Sequence, residues 1–151
     1  MATRPQKLGN RNLPLLMLQA RERVMSRFRP LLNAQGITEQ QWRVIRLLLE
    51  TGPLEFREIS TQCHISSPSL AGILSRMEDL HLLTRERLGS DQRRVRVSLR
   101  PRSRELAARL APRINATYRE IETQLGVEAS RRLYEVLDGV IEALAPRKIP
   151  R

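Results

Sequence analysis

The apolar positions fall into blocks spaced three or four residues apart, separated by short polar breaks. Leu13, Leu16, Met17, Ala20, Val24, Phe28 and Leu31 put one apolar face on a helix over residues 13–32, with Asn12 as its cap. "NAQG" ends it. Thr38 then caps a second helix, and Gln41, three residues on, completes a capping box. Trp42, Ile45, Leu48 and Leu49 are its inward face, and "TGP" at 51–53 breaks the chain. A short helix is expected from Glu55 to Cys63, then a tight turn at "HIS", then a helix in "SPSLAGILSRMEDLHLL". Ser67 suits its N-cap and Pro68 its first position. Leu70, Ile73, Leu74, Met77 and Leu80 form its buried stripe.

The period then changes from helical to alternating. Residues 83–88 read as a strand, Gly89-Ser90-Asp91-Gln92 as a turn and 94–99 as a second strand. Val95, Val97 and Leu99 alternate with Arg94, Arg96 and Ser98. From about Arg102 a long helix carries Leu106, Leu110, Ile114, Tyr118, Ile121 and Leu125. Gly126 interrupts it, and a last helix runs from Glu128 to Leu144. The order predicts a mainly α fold with a small β-wing. Residues 36–101 form a winged helix-turn-helix lobe, and helices at 12–35 and 102–145 carry apolar faces that the lobe does not need. A symmetric homodimer buries such faces. Residues 1–11 and 146–151 read as a flexible arm and tail.

Charge gives the alternating segment its meaning. The chain has 151 residues, a net charge of +11 and a pI near 11.4, which favours a polyanionic partner. Lys7 and Lys148 are the only lysines, so the base is nearly always arginine. The flat guanidinium fork suits phosphate and guanine, although a GC-rich genome gives the same bias. Leu82–Leu106 holds eight arginines against Glu86, Asp91 and Glu105. One face of the hairpin is apolar and packs on the lobe, and the other is basic and projects beside it.

The preceding helix offers a complementary surface. Its outward face carries Ser69, Gly72, Ser75 and Arg76, mostly small and polar, which lets the backbone approach base edges in a major groove. The candidate DNA contacts are Ser66, Ser67, Ser69, Gly72 and Arg76 on this helix, and Arg85, Arg93, Arg94 and Arg96 on the wing. Arg93 at the tip is the candidate for a narrow minor groove. Asp91, two residues earlier, is expected to orient its guanidinium. The bland alternatives are an ordinary helix surface and a solvated charged turn.

Other chemistries find little support. No Gly-rich phosphate loop, Ser/His/Asp arrangement or metal-ligand spacing is visible, so neither an enzyme nor a cofactor is expected. Cys63 is the single cysteine; it cannot form an internal disulfide and reads as a small packed residue. A reducing cytoplasm is the default compartment. No apolar run approaches the ~20 residues that cross a bilayer, and "MATRPQKLGNRN" has no signal-peptide core. The serious rival is a nonspecific nucleoid or RNA-binding protein, although aromatics at 3% offer few stacking platforms.

The element order and the wing resemble the MarR family of winged-helix repressors. That family's signature is Asp-x-Arg, five residues, then Leu-Thr. Here "DQRRVRVSLR" matches at Asp91, Arg93 and Leu99, with Arg100 in place of the threonine that helps start the next helix; Pro101 and Ser103 are its candidate substitutes. With "LLMLQARERVMSRFRP", "ITEQQWRVIRLLLE" and "SPSLAGILSRMEDL", the match is similar to the HpaR-type regulators of homoprotocatechuate degradation and covers residues 13–144. The resemblance implies a dimeric repressor on a pseudo-palindromic double-stranded operator, released by a small aromatic carboxylate. It also implies an effector cleft between the dimerisation helices and the lobe. Arg21 and Arg43 are then candidates for the carboxylate, and Met25 and Trp42 for the walls around the ring.

Overall fold

The structure is a computed structural model that describes residues 9–91 and 93–146. Gln92 of the expected turn, residues 1–8 of the expected arm and 147–151 of the expected tail lie outside the described residues. The elements run α1 (Leu13–Asn33), α2 (Glu39–Thr51), β1 (Leu54–Glu55), α3 (Phe56–Cys63), α4 (Ser67–Asp79), β2 (Leu83–Arg87), β3 (Val95–Leu99), α5 (Pro101–Leu125) and α6 (Val127–Ala143). They form two compact units that divide between Ala111 and Pro112, inside α5. Pro112 has no N–H for the helical ladder, so the division falls where α5 lacks a backbone bond.

Local chemistry sets most of the boundaries in the first unit. The Asn12 side chain accepts the Leu15 N–H at 3.1 Å and caps α1. The Thr38–Gln41 capping box closes at 3.1 and 3.0 Å and starts α2. Gly52 ends α2 with φ +81°. The core of this unit gathers Phe28 and Leu32 of α1, Ile37, Val44, Ile45 and Leu48 of α2 and its approach, Ile59 of α3, Leu70, Ile73, Leu74 and Met77 of α4, and Leu83 and Val97 of the wing. Leu106 and Leu110 of α5 are buried as well.

Several expectations need correction. Trp42 is only half-buried and Leu49 is exposed; Gln41, Val44, Ile45 and Leu48 take the inner face of α2 instead. The capping box turns Gln41 inward and so rotates the buried stripe. Leu80 is exposed because α4 has already ended. The N-cap of α4 is Ser66, not Ser67: Ser66 has extended backbone, and its carbonyl accepts the Leu70 N–H at 2.8 Å. Pro68 thereby moves one position into the first turn, where a missing N–H costs nothing. The wing is a three-stranded antiparallel sheet in the order β1-β3-β2. Leu54 and Glu55, the latter expected to begin α3, pair instead with Val97 and Arg96.

α5 starts at Pro101 without the usual threonine. Buried Ser103 donates its hydroxyl to the Leu82 carbonyl, and its N–H bonds the Arg100 carbonyl at 3.0 Å. The second unit holds the rest of α5 and all of α6, joined at Gly126 with φ +87°. Ile114, Thr117 and Ser130 are buried, whereas Leu125, Leu133, Val136, Leu137, Ile141 and Leu144 are exposed. Among the described residues no helix is long and apolar enough to cross a membrane.

Candidate nucleic-acid interface

The candidate recognition surface begins at the turn between α3 and α4. His64 sits in the left-handed region at φ 50° and closes α3. The Ile65 N–H returns to the Ser60 carbonyl at 3.1 Å, and the Ser60 hydroxyl donates to the Ile65 carbonyl at 2.7 Å. This double clasp fixes the turn. Leu70, Ile73, Leu74 and Met77 then anchor α4 inward. On the outer side Ser66, Ser67, Ser69 and Arg76 are exposed and Gly72 is half-buried. Ser66 Oγ lies 3.0 Å from Ser69 Oγ. A Cβ built on Gly72 would meet nothing nearer than Arg76 Nη1, at 3.5 Å, so the Arg76 guanidinium folds back over the thin part of the helix.

The wing lies in the same unit, and its arginines are not equivalent. Arg85 donates from Nε and Nη2 to the Glu78 carboxylate of α4 at 2.9 and 2.7 Å, and its N–H approaches the other oxygen at 3.3 Å. Arg94 pairs with Glu55 of β1. These guanidinium contacts hold both carboxyls, Glu78 and Glu55, below the usual glutamate range. Arg96 stands in register between Glu55 and Glu86. Arg93 is exposed and makes no ion pair among the described residues. Asp91 does not orient the Arg93 guanidinium, which corrects the expectation from the sequence: among the described residues no ion pair joins the two side chains. Its carboxylate accepts the Arg93 main-chain N–H at 3.0 Å, because a carboxylate two residues upstream reaches the backbone more easily than a long side chain. Asp91 shapes the turn and leaves the guanidinium at the solvent.

The candidate effector residues divide. Arg21 and Arg43 line an open cleft of about 600 Å³ with Thr38, Glu39, Gln40 and His64. Half-buried Met25 and Trp42 do not line it. Arg21 is already paired, with Glu39 and, at 3.2 Å, with Glu22. Arg29 reaches Glu22 at 2.7 Å and Glu39 at 3.2 Å. Arg43 joins Glu39 at 3.1 Å to the Cys63 carbonyl at 2.9 Å, at the very end of α3. Cys63 is buried, and burial raises its thiol pKa, partly offset by Arg43. Glu39 and Arg29 were missed in the sequence. The four-residue step from Glu39 to Arg43 was the available signal. Nothing marked Glu55 and Glu78 as arginine partners, since the wing pairs form across the fold.

Comparison with known proteins gives a consistent result. The sequence profile of the MarR family matches residues 37–95, from the start of α2 into β3. The chain is 39% identical to the HTH-type transcriptional regulator FarR of Neisseria gonorrhoeae over 133 residues, covering 88% of this chain and 91% of that protein. It is 38% identical to the homoprotocatechuate degradative operon repressor of Escherichia coli over 130 residues, covering 86% and 88%. It is similar to the crystal structure of NadR in complex with 4-hydroxyphenylacetate, with a TM-score of 0.77 and 38% identity over 91% of this chain and 97% of that one. A helix-turn-helix with a thin outer face, a three-stranded wing and relatives matched over nearly the whole length agree: the chain belongs to the MarR family of transcriptional regulators.

Proposed function

We propose that this protein is a homodimeric repressor that binds a pseudo-palindromic operator and is released by a small aromatic carboxylate. The observation that carries the DNA reading is the small, polar outer face of α4, presented beside a wing whose Arg93 guanidinium is free to leave the lobe. Residues Ser66, Ser67, Ser69, Gly72 and Arg76 meet the major groove, Arg93 the minor groove, and Arg96 the phosphates, which Arg85 and Arg94 reach only by leaving Glu78 and Glu55. The dimer is supported by exposed apolar side chains on α1, including Leu13, Leu16, Met17 and Val24, and on α6. A repressor of this kind works on chromosomal DNA, so this reading implies a cytoplasmic protein.

The effector class rests on the relatives: a repressor of a homoprotocatechuate operon and a protein crystallised with 4-hydroxyphenylacetate. The Glu39 cluster supports it in a modified form. A ligand carboxylate has to compete with Glu39 for Arg21 and Arg43, so binding loosens the contact from Arg43 to the end of α3. Met25 and Trp42 serve as ring walls only if dimerisation or ligand entry brings them to the cleft. A gel-shift titration of the preformed protein–operator complex with 4-hydroxyphenylacetate tests this. Release of the duplex is expected, and an unchanged complex at saturating ligand removes the effector assignment.

A further inference from the structure

Glu55 stands where three elements meet. It is the second residue of β1, in register with Arg96 of β3. It is also the residue before α3, where its N–H donates to the Glu58 carboxylate at 2.8 Å. Its own carboxylate accepts Arg94 Nε at 3.2 Å and a second bond from the same guanidinium. The two residues are 39 positions apart, so the pair ties the end of the wing turn to the start of the helix-turn-helix. A cavity of about 160 Å³ opens at this junction, and Glu55, Arg57, Asp91, Arg93 and Arg94 are among its lining.

This pair does little for stability. The Arg94 side chain is 57% exposed and that of Glu55 28%, and such ion pairs contribute little in water. Its larger consequence concerns what the wing offers to DNA. A guanidinium held by a carboxylate is occupied toward phosphate. Each phosphate an arginine neutralises adds affinity for any sequence alike, because the gain comes from released counterions.

We propose that Glu55 is a specificity-determining residue of the DNA interface: it withholds Arg94 from the phosphate backbone and leaves Arg93 as the leading cation of the wing. The proposal rests on the reading that the wing meets DNA. Specificity is a difference of two affinities, and removing a sequence-blind contact lowers binding to random DNA. An operator already engages α4 and Arg93, whose geometry fixes where the wing sits. Arg94 therefore adds less there than on random DNA, where the protein is free to settle on phosphates.

The test uses the full chain and two duplexes, one of random sequence and one selected by the wild-type protein from a randomised pool. Affinities are measured by fluorescence anisotropy from about 50 to about 200 mM salt. Glu55→Gln keeps the shape of the side chain but loses the charge that holds Arg94. It should raise random-duplex affinity roughly eightfold at about 0.1 M salt and steepen the log-log salt slope by about 0.9. Affinity for the selected duplex should rise less, so the ratio of the two falls. Arg94→Ala alone should leave the random-duplex slope unchanged, and Glu55→Gln in the Arg94→Ala background should change nothing further. An unaltered slope in Glu55→Gln overturns the proposal. So does the same steepening without Arg94, which makes Glu55 a simple repulsive charge, and so does a shallower slope in Arg94→Ala alone. Weaker binding of both duplexes at constant slope leaves Glu55 a structural brace and equally overturns it. The random-duplex arm is decisive whether or not selection yields a consensus; a missing consensus counts against the repressor reading instead.

Discussion

At Gly72 the fold and the proposed function make different demands on a single residue. It lies inside α4, where glycine costs about 1 kcal/mol relative to alanine. A Cβ there meets only Arg76 Nη1, at ordinary contact distance, so packing does not require glycine. The proposed close approach of DNA does. Gly72→Ala should therefore stabilise the free protein by about 0.5–1 kcal/mol in urea melts and weaken operator binding several-fold in gel shifts. Unchanged affinity would mean that this turn of α4 does not reach the groove. The Glu39 cluster makes a second residue-level prediction. Glu39→Gln removes the competitor and should tighten 4-hydroxyphenylacetate binding in calorimetry, whereas Arg21→Ala should weaken it about tenfold, one pKa unit's worth of interaction. Equal affinities in all three proteins would take this cluster out of the ligand site. Residues of this kind were only half legible. The thin face of α4 follows from spacing within one helix. Glu55 beside Arg94 and Arg85 beside Glu78 come from chain segments brought together by the fold, so no local pattern announces them.

Among elements, legibility followed periodicity. The six helices described here repeat apolar residues every three or four positions over eight residues or more, and their bounds were readable to within one or two residues, except that α4 ends at Asp79, before the close of the expected segment. β1 was not, because two residues carry no period and its pairing partner is β3, some 40 positions on. Within the winged lobe an apolar stripe usually meant burial, though Leu49 and Leu80 escape it. In α1 only Phe28 and Leu32 are buried while Leu13, Leu16, Met17 and Val24 stay exposed, and most apolar side chains of α6 are exposed as well. The same period thus marks two kinds of face, one filled within the chain and one left exposed, which the proposed dimer would cover. Deleting residues 127–151 removes α6 and should abolish the dimer in sedimentation while leaving the fold of the winged lobe, followed by circular dichroism, in place. A stable truncated dimer would contradict that role for α6.

At the scale of the whole molecule, net charge and geometry make separable demands. A charge of +11 draws any duplex, and this part of the affinity falls with salt by about 0.9 log units per phosphate neutralised and per decade of salt. It carries no sequence information. On the proposed reading selectivity comes from two copies of α4 and Arg93 held at a fixed separation, which requires half-sites about one helical turn, ~10 base pairs, apart. The two demands divide a specific repressor from a basic nucleoid protein. The most direct measurement is selection from a randomised duplex pool, followed by footprinting and by competition against random DNA at physiological salt. A pseudo-palindrome with that spacing, preferred over random DNA by at least about a thousandfold, is the predicted result. Protection without symmetry, or equal affinity for the selected and random duplexes, would contradict the account.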